Sequence, residues 1–391
     1  LVIGGGICGT ATAFHLALQG DRVILLERGD IASEASGINA GGIGGFGWGY
    51  NTKLQSYLTA GGFEIFKSLQ LDMGYDIEFH APGGLQAIHT AEQWDYARDR
   101  VFLAQTNGYH AELVTTREAR SIEPEASDAL AGFMFLPKRA RANPIKATVA
   151  FGQAAVSFGA IIKTGHTVQA ISQRRDDSWM VQTNQGDFRS KTLALAVGAW
   201  SGPVGDMLGL EIPVVPIRGQ MWATKPVPPR IFHLSGSMES PFDWSRQEPN
   251  GIYPPELTHI GHTRITRHLY GGQTRNGEII FGGDRQIMAY EYTPEPTGIE
   301  VNWTQASEGF PFVSKLSISR RWAGIIPFSL DGKPIIGKIP QFENLFIVTG
   351  LASSGFGRGP MSGKLLADFI HTGHPNLVLA EADPTRCVGF K

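Results

Sequence analysis

The segment that most restricts the fold lies at the start. Leu1-Val2-Ile3 is a short apolar strand that runs straight into Gly4-x-Gly6-x-x-Gly9, and residues 7–19 then carry Ala11, Phe14 and Leu18 at helical spacing. In such a turn the first glycine permits the sharp bend. The second lets backbone approach a pyrophosphate, and the third lets helix and strand pack closely. The helix N-terminus then offers free N–H groups to two phosphates. A second strand at 23–26 ends on Glu27, where an acid accepts hydrogen bonds from ribose hydroxyls. Strand, helix and acid in this order predict a dinucleotide-binding unit. Glu27 argues against a 2′-phosphate, and Arg28 beside it is the one contrary sign.

Composition excludes several classes. Charged residues are 18% of 391 and the net charge is −2, with no basic block for nucleic acid or anionic lipid. The two cysteines, Cys8 and Cys387, exclude a disulfide framework and make a reducing, cytoplasmic setting the default. The longest apolar run, around 193–200, falls short of the ~20 residues of a membrane span. The apolar start lacks a basic leader and is broken by glycines, so it does not read as a signal peptide. It begins in mid-strand, which is compatible with a trimmed leader and leaves organellar targeting open.

Further along, residues 54–69 form a helix that stops near Gly74, 83–90 a strand and 91–108 a helix. A helix follows from Pro144 to 158, then strands at 161–164, 167–172, 179–183 and 188–196. Residues 225–262 are rich in Pro, Ser and Gly and read as an irregular excursion. Strands at 269–274 and 278–283 pair as a hairpin, and the chain ends with a strand at 345–349, a glycine turn at 355–359 and a helix at 361–371. The expected organisation is α/β. A discontinuous nucleotide-binding domain takes 1–74, 138–215 and 318–391, and an interleaved substrate domain on an antiparallel sheet takes 75–137 and 216–317.

Several further motifs occur in a fixed order. They are Ser33-x-x-Ser36-Gly37-x-Asn39-Ala40-Gly41-Gly42, Val197-Gly198-Ala199-Trp200-Ser201, Pro216-x-Arg218-Gly219-Gln220 and Arg320-Arg321-Trp322-Ala323-Gly324. Asp331-Gly332-x-Pro334-Ile335-Ile336-Gly337, Gly350 and Gly355-Phe356-Gly357-Arg358-Gly359-Pro360-x-Ser362-Gly363 complete the set. Together they resemble the FAD-dependent amine oxidoreductases of the D-amino acid, glycine and sarcosine oxidase type. The resemblance implies a Rossmann-like FAD-binding fold. Its cofactor-binding residues would be Gly4, Gly6, Gly9, Glu27, Arg28, Ser36, Asn39, Ala40, Gly41, Val168, Gly198, Trp200, Gly355, Phe356 and Gly357. The small, polar run at 36–42 suits a loop wrapped around a long ligand, and Gly198 at a strand end lets backbone approach it. Trp200 reads equally as a core residue. A helix opening at the 355–359 turn would stabilise negative charge on the flavin pyrimidine.

The same resemblance implies oxidation of a small amine or amino acid. Hydride passes from the α-carbon to flavin N5, the imine hydrolyses, and oxygen or another electron acceptor reoxidises the cofactor. FAD is expected to be non-covalent. Gly324 or a neighbour stands where monomeric sarcosine oxidases carry a linking cysteine, and 36–42 holds no histidine. Gly324-Ile325-Ile326-Pro327 departs from the family's Gly-Leu-Arg-Pro, so Ile326 replaces the arginine that pairs with a substrate carboxylate. Arg358 is a candidate for that charge, or else a surface arginine. Tyr270 is a candidate for lining the pocket, or else simply packed. The stretch is closer to the β subunit of multi-subunit sarcosine oxidase. That keeps open an oligomer, or a heteromeric dehydrogenase subunit passing electrons to a quinone or flavoprotein, while the loss of the arginine at Ile326 keeps open a non-catalytic assembly protein. His259, His262 and His268 lack the cysteines or acids of a metal site, and none is expected. Asn302-Trp303-Thr304 matches a glycosylation sequon by chance.

Overall fold

The computed structural model describes residues 1–44, 52–248 and 251–391. One layer is a six-stranded sheet in the order Ile335–Lys338, Leu345–Thr349, Leu193–Leu195, Val2–Ile3, Ile24–Leu26, Ile161–Lys163. All its pairings are parallel except that of Ile335–Lys338 with Leu345–Thr349. Parallel strands need cover on both faces. Alternate residues supply it: Val2, Leu25 and Val348 pack with Phe14, Phe151 and Leu365 of the helices Ile7–Leu18, Pro144–Ser157 and Gly355–Thr372. Ile3, Leu26 and Ile347 pack on the other side with Trp179 and Val181 from a three-stranded antiparallel sheet. Helix starts are written locally. Thr52 and Gln55 form a capping box at Lys53–Leu71, and Asn143 caps Pro144–Ser157 with proline in the first turn.

The second layer is an eight-stranded sheet in the order Ile318–Ser329, Val214–Thr224, Ile279–Ile287, Tyr270–Gln273, Leu234–Ser237, Gly84–Ile88, Gly132–Leu136, Glu112–Val114. It is antiparallel apart from the pairing of Leu234–Ser237 with Gly84–Ile88. Helix Pro296–Gly309 covers one face through Ile299 and Ala306 against Trp222 and Phe281. The sequon residue Asn302 is spent here: its Oδ1 accepts from Trp222 Nε1 (2.7 Å) and its Nδ2 donates to His268 O (2.8 Å).

Four segments depart from the sequence expectation. The strand expected at 188–196 is two, Gly186–Ser190 in the three-stranded sheet and Leu193–Leu195 in the six-stranded one. The excursion at 225–262 contains the strand Leu234–Ser237 and the helix Glu239–Trp244. Ile318–Ser329, expected in the nucleotide-binding domain, pairs along Val214–Thr224 in the eight-stranded sheet. The last helix starts at Gly355, so the expected glycine turn is its first turn and Pro360 lies inside it. Its glycines serve packing. A Cβ on Gly359 would come 2.6 Å from Ile7 Cγ2, and one on Gly363 would come 2.8 Å from Thr12 N. Gly359 and Gly363 thus bring two helices to near-backbone contact. Among the described residues no helix is long and apolar enough to cross a membrane.

Candidate active site

A single long cavity runs from the first glycine turn, between the two layers, to the start of helix Gly355–Thr372. At its first end Gly4 has φ +114°, and a Cβ there would overlap Ala196 O. A Cβ on Gly9 would overlap Gly4 O. Gly4 and Gly6 line the cavity, while Gly9 stays behind the wall as the close-packing residue. Gly6, the N-cap of Ile7–Leu18, has no side-chain cap, and Ile7 N–H donates to Ser36 Oγ (2.9 Å). Glu27 accepts from Gly5 N–H at 2.6 Å and from Gly29 N–H at 2.7 Å. The Arg28 guanidinium lies 3.8 Å over the Trp200 ring, which stacks on Tyr290 at 5.5 Å. Glu34 ties this corner together, taking Arg28 Nη2 at 2.5 Å and Tyr292 Oη at 2.8 Å. Val168 and Gly198 (φ +53°) complete the wall.

The loop at 36–42 is held by its own side chains. Asn39 Nδ2 donates to Ala35 O and Ser36 O, and its Oδ1 accepts from Gly41 N–H (2.7 Å). Gly41, at φ +77°, sits against Ala142 O with no room for a Cβ. Ser36 and Asn39 line the cavity, whereas Ala40 and Gly41 do not. Ala40 N–H instead donates to Tyr270 Oη (2.8 Å), and Gly42 N–H donates to the same oxygen. Tyr270 therefore both anchors the loop and lines the cavity. Burial raises its pKa against the pull of these donors.

The far end is a chamber between the eight-stranded sheet and the helix start. Gly355, Phe356, Gly357 and Arg358 line it on the helix side. Arg358 is buried, not at the surface, and its Nε donates to Thr59 Oγ1 (2.9 Å). On the sheet side stand Arg139, Arg285 and His268, all buried, with Ile326 beside them. Sequence reasoning passed over Arg139 and Arg285, and it considered His268 only as a metal ligand. Burial pulls Arg139, Arg285 and Arg358 each down to about 10, so all stay charged at neutral pH. Among the described residues no three His, Cys, Asp or Glu side chains group as a metal site.

These features fit FAD. Free backbone N–H groups and small residues suit a pyrophosphate, the Glu27 carboxylate has the chemistry to accept from ribose hydroxyls, Arg28 and Trp200 present flat faces, and a second helix N-terminus without a side-chain cap stands at the other end. A dinucleotide cradle opening onto a buried polar chamber defines a nucleotide-cofactor oxidoreductase. The chain belongs to the FAD dependent oxidoreductase family, whose pattern matches residues 1–369. It is 27% identical to mitochondrial dimethylglycine dehydrogenase of Mus musculus across 99% of its own length and 44% of that protein. It therefore spans less than half of that relative. Glycine oxidase of Pseudomonas aeruginosa is 27% identical, with 96% of this chain and 95% of that protein covered. Among solved structures, glycine oxidase from Geobacillus kaustophilus superposes with TM-score 0.85 at 23% identity, covering 99% of this chain and 98% of the other. The fold is thus a discontinuous Rossmann-like FAD-binding unit with an interleaved sheet-based unit, and the cofactor is FAD.

Proposed function

We propose that this chain oxidises a small amine or amino acid at its C–N bond, with FAD held non-covalently. The observation that carries this reading is the chamber, where buried guanidinium groups and Tyr270 face the first turn of helix Gly355–Thr372 across a cavity continuous with the dinucleotide cradle. Bound FAD supplies a hydride acceptor at N5. The protein's part is to bind, orient and exclude water. Gly4, Gly6 and Ser36 hold the pyrophosphate, Glu27 the ribose, and Arg28 with Trp200 the adenine. The first-turn N–H groups at 355–357 stabilise negative charge gathering beside them. Arg358, steadied by Thr59, takes a substrate carboxylate in place of the arginine that Ile326 replaces. Tyr270 fixes the loop at 36–42 and shapes the chamber. The division proposed is 1–74, 138–213 and the stretch from Ile335 for the FAD-binding unit and the rest for the substrate unit, which is in keeping with Val214–Thr224 and Ile318–Ser329 pairing in the eight-stranded sheet.

Non-covalent attachment is supported by the nucleophiles of the cavity wall. Burial pushes the Cys8 thiol up to about 12, both ring nitrogens of His268 are hydrogen-bonded, and His166 is held at the Glu27 end of the cavity, its backbone N–H donating to Glu27 O. The purified protein is expected to be yellow and to release its flavin on acid denaturation. A flavin that stays with the denatured chain refutes that part. The activity is tested by anaerobic bleaching of the flavin with D- and L-amino acids, N-methyl amino acids and proline. No bleaching by any amine refutes it. A second reading sends the electrons to an acceptor other than oxygen, in keeping with the likeness to dimethylglycine dehydrogenase. Oxygen uptake during turnover separates the two.

A further inference from the structure

Residues 288–295 join strand Ile279–Ile287 to helix Pro296–Gly309 and belong to neither. Their base is fixed by the motif Pro216-x-Arg218-Gly219-Gln220. Arg218 is buried, and its Nη1 donates to Thr293 O at 3.0 Å. Its Nη2 donates to Gln286 Oε1 and meets Glu295 Oε2 at 3.5 Å. Gln286 Nε2 donates to the same Glu295 oxygen at 2.9 Å, and Glu295 N–H donates to Gln220 Oε1. A buried guanidinium needs partners, and Arg218 finds two of them, Thr293 O and Glu295, in this segment. Gln220 also donates to Asp284 Oδ2 at 3.1 Å, and both residues line the cavity.

The tip of the segment is fixed elsewhere, on loops that follow strands of the six-stranded sheet. Ala289, at φ +48° in the left-handed region, turns the chain just before Tyr290. Tyr290 Oη donates to Ala199 O (3.1 Å), and its ring stacks on Trp200 at 5.5 Å, 24° from parallel. Tyr292 Oη donates to Glu34 Oε2 (2.8 Å). Burial and this bond raise the Tyr292 pKa, so its hydroxyl remains a donor at neutral pH. Glu34 takes Arg28 Nη2 on its other oxygen, and the Arg28 guanidinium lies over Trp200. Segment, Trp200, Arg28 and Glu34 thus close a ring of contacts. Arg28, Glu34, Ala199 and Trp200 line the cavity at its Glu27 end, and the two exposed tyrosines grip them from outside. An arginine at a surface samples many rotamers, and ordering it on binding costs affinity. Here that order is built in.

We propose that residues 288–295 are a strap that clasps the adenosine end of FAD, with Tyr290 and Tyr292 as positioning residues that act through Trp200 and through Glu34 and Arg28. This rests on the reading that Arg28 and Trp200 meet the adenine. Hold on the cofactor at one end of the cavity is thereby anchored in the sheet that builds the chamber at the other.

The test uses the FAD-loaded full chain. It is diluted into FAD-free buffer, and the flavin that appears in an ultrafiltrate is followed with time. The double variant Tyr290→Ala, Tyr292→Phe should release FAD ~10-fold or more faster, because losses among variants of one interface fall mostly on dissociation. Its flavin absorbance before release should match the parent, since the isoalloxazine lies at the far end, whereas a general loosening of the fold changes it. Tyr290→Phe keeps the stacked ring and should release FAD far more slowly than Tyr290→Ala. In a Trp200→Ala background, Tyr290→Ala should add little, since the ring it stacks on is gone. Parental release from the double variant overturns the proposal, as does equal acceleration by Tyr290→Ala with and without Trp200. Tyr292→Phe removes only a surface hydroxyl, so folding is not at stake. It should speed release ~2-fold or more, the low end of a net hydrogen-bond contribution. Parental release from Tyr292→Phe overturns the strap even where the double variant does not load FAD. Trp200→Ala alone separates the strap from the reading beneath it. Faster release there, with parental release from the tyrosine variants, leaves the adenine contact standing and sinks the strap. Parental release from Trp200→Ala sinks the adenine contact, and the strap with it.

Discussion

Replacing Glu27 tests whether the acid after the second strand reads the adenosine ribose or merely supports the turn. Its two oxygens already accept backbone N–H groups from Gly5 and Gly29, at 2.6 and 2.7 Å. Each oxygen keeps a further lone pair for a ribose hydroxyl. A hydrogen bond to a charged group contributes ~1.5–3 kcal/mol. Glu27→Ala should therefore weaken FAD binding by that amount for the ribose contact alone, or ~10–150-fold in Kd. It also strips a partner from each N–H, so the apoprotein should melt earlier. Glu27→Gln, which keeps one acceptor oxygen, should fall between. Fluorescence titration of apoprotein with FAD and with FMN isolates the ribose term, because FMN lacks the adenosine. FAD affinity should drop in the variants by at least ~10-fold more than FMN affinity. Equal losses for both flavins would falsify the ribose assignment and leave Glu27 as a brace for the turn.

Gly9→Ala should prevent stable FAD loading, because the new methyl overlaps Gly4 O and helix and strand must separate; a yellow protein of parental Tm would contradict this. Tyr270→Phe should lower the Tm by an amount equivalent to ~1–3 kcal/mol, since Ala40 N–H loses its acceptor in a buried setting; an unchanged Tm counts against the anchor. Burial lowers the His15 pKa to about 4 from 6.5, so the unfolded chain binds the extra proton between these values. Its contribution is complete above pH 6.5 and is lost as pH falls toward 4, by ~3 kcal/mol in all; urea midpoints at pH 7 and 4.5 should converge in His15→Leu, and parallel slopes would exclude His15 as the cause. Arg358→Leu should slow flavin reduction by amino acids ~10-fold or more while sparing amines without a carboxylate; equal slowing of both substrates assigns Arg358 to the flavin or the fold.

The dinucleotide half was legible because its constraints are local. A glycine turn, an acid at a strand end and a small-residue loop are each written in a few consecutive positions, and the backbone there leaves little choice. The chamber was not, because its cations come from distant strands with no shared motif. Arg139 precedes a two-residue strand, Arg285 lies within Ile279–Ile287, and only the folded sheet sets them beside His268. Glycine misled at 355–359, where a turn was expected but the helix has already begun, with Gly359 required by packing against Ile7 and Gly357 set against Gly42 O and Ile43. The strand at 188–196 was read as continuous because both halves are β-forming, and nothing local marks the step from one sheet to another at Lys191 and Thr192.

The close crossing of the glycine-bearing helices bears on how a chain of this design can diversify. Gly62 abuts Gly357 O, Gly359 abuts Ile7, and Gly363 abuts Thr12, so the packing directly behind the helix side of the cavity is largely main chain. Main chain has no side chain to exchange, and substitution at these glycines meets backbone or tightly packed neighbours. The opposite wall is made of strand side chains, Tyr270, Arg285 and Ile326 among them, which can be swapped one at a time while the sheet ladder stays intact. Heritable variation in what the chamber accepts is thereby channelled onto the sheet and onto Phe356 and Arg358, while the glycines that seat the helix are held by geometry.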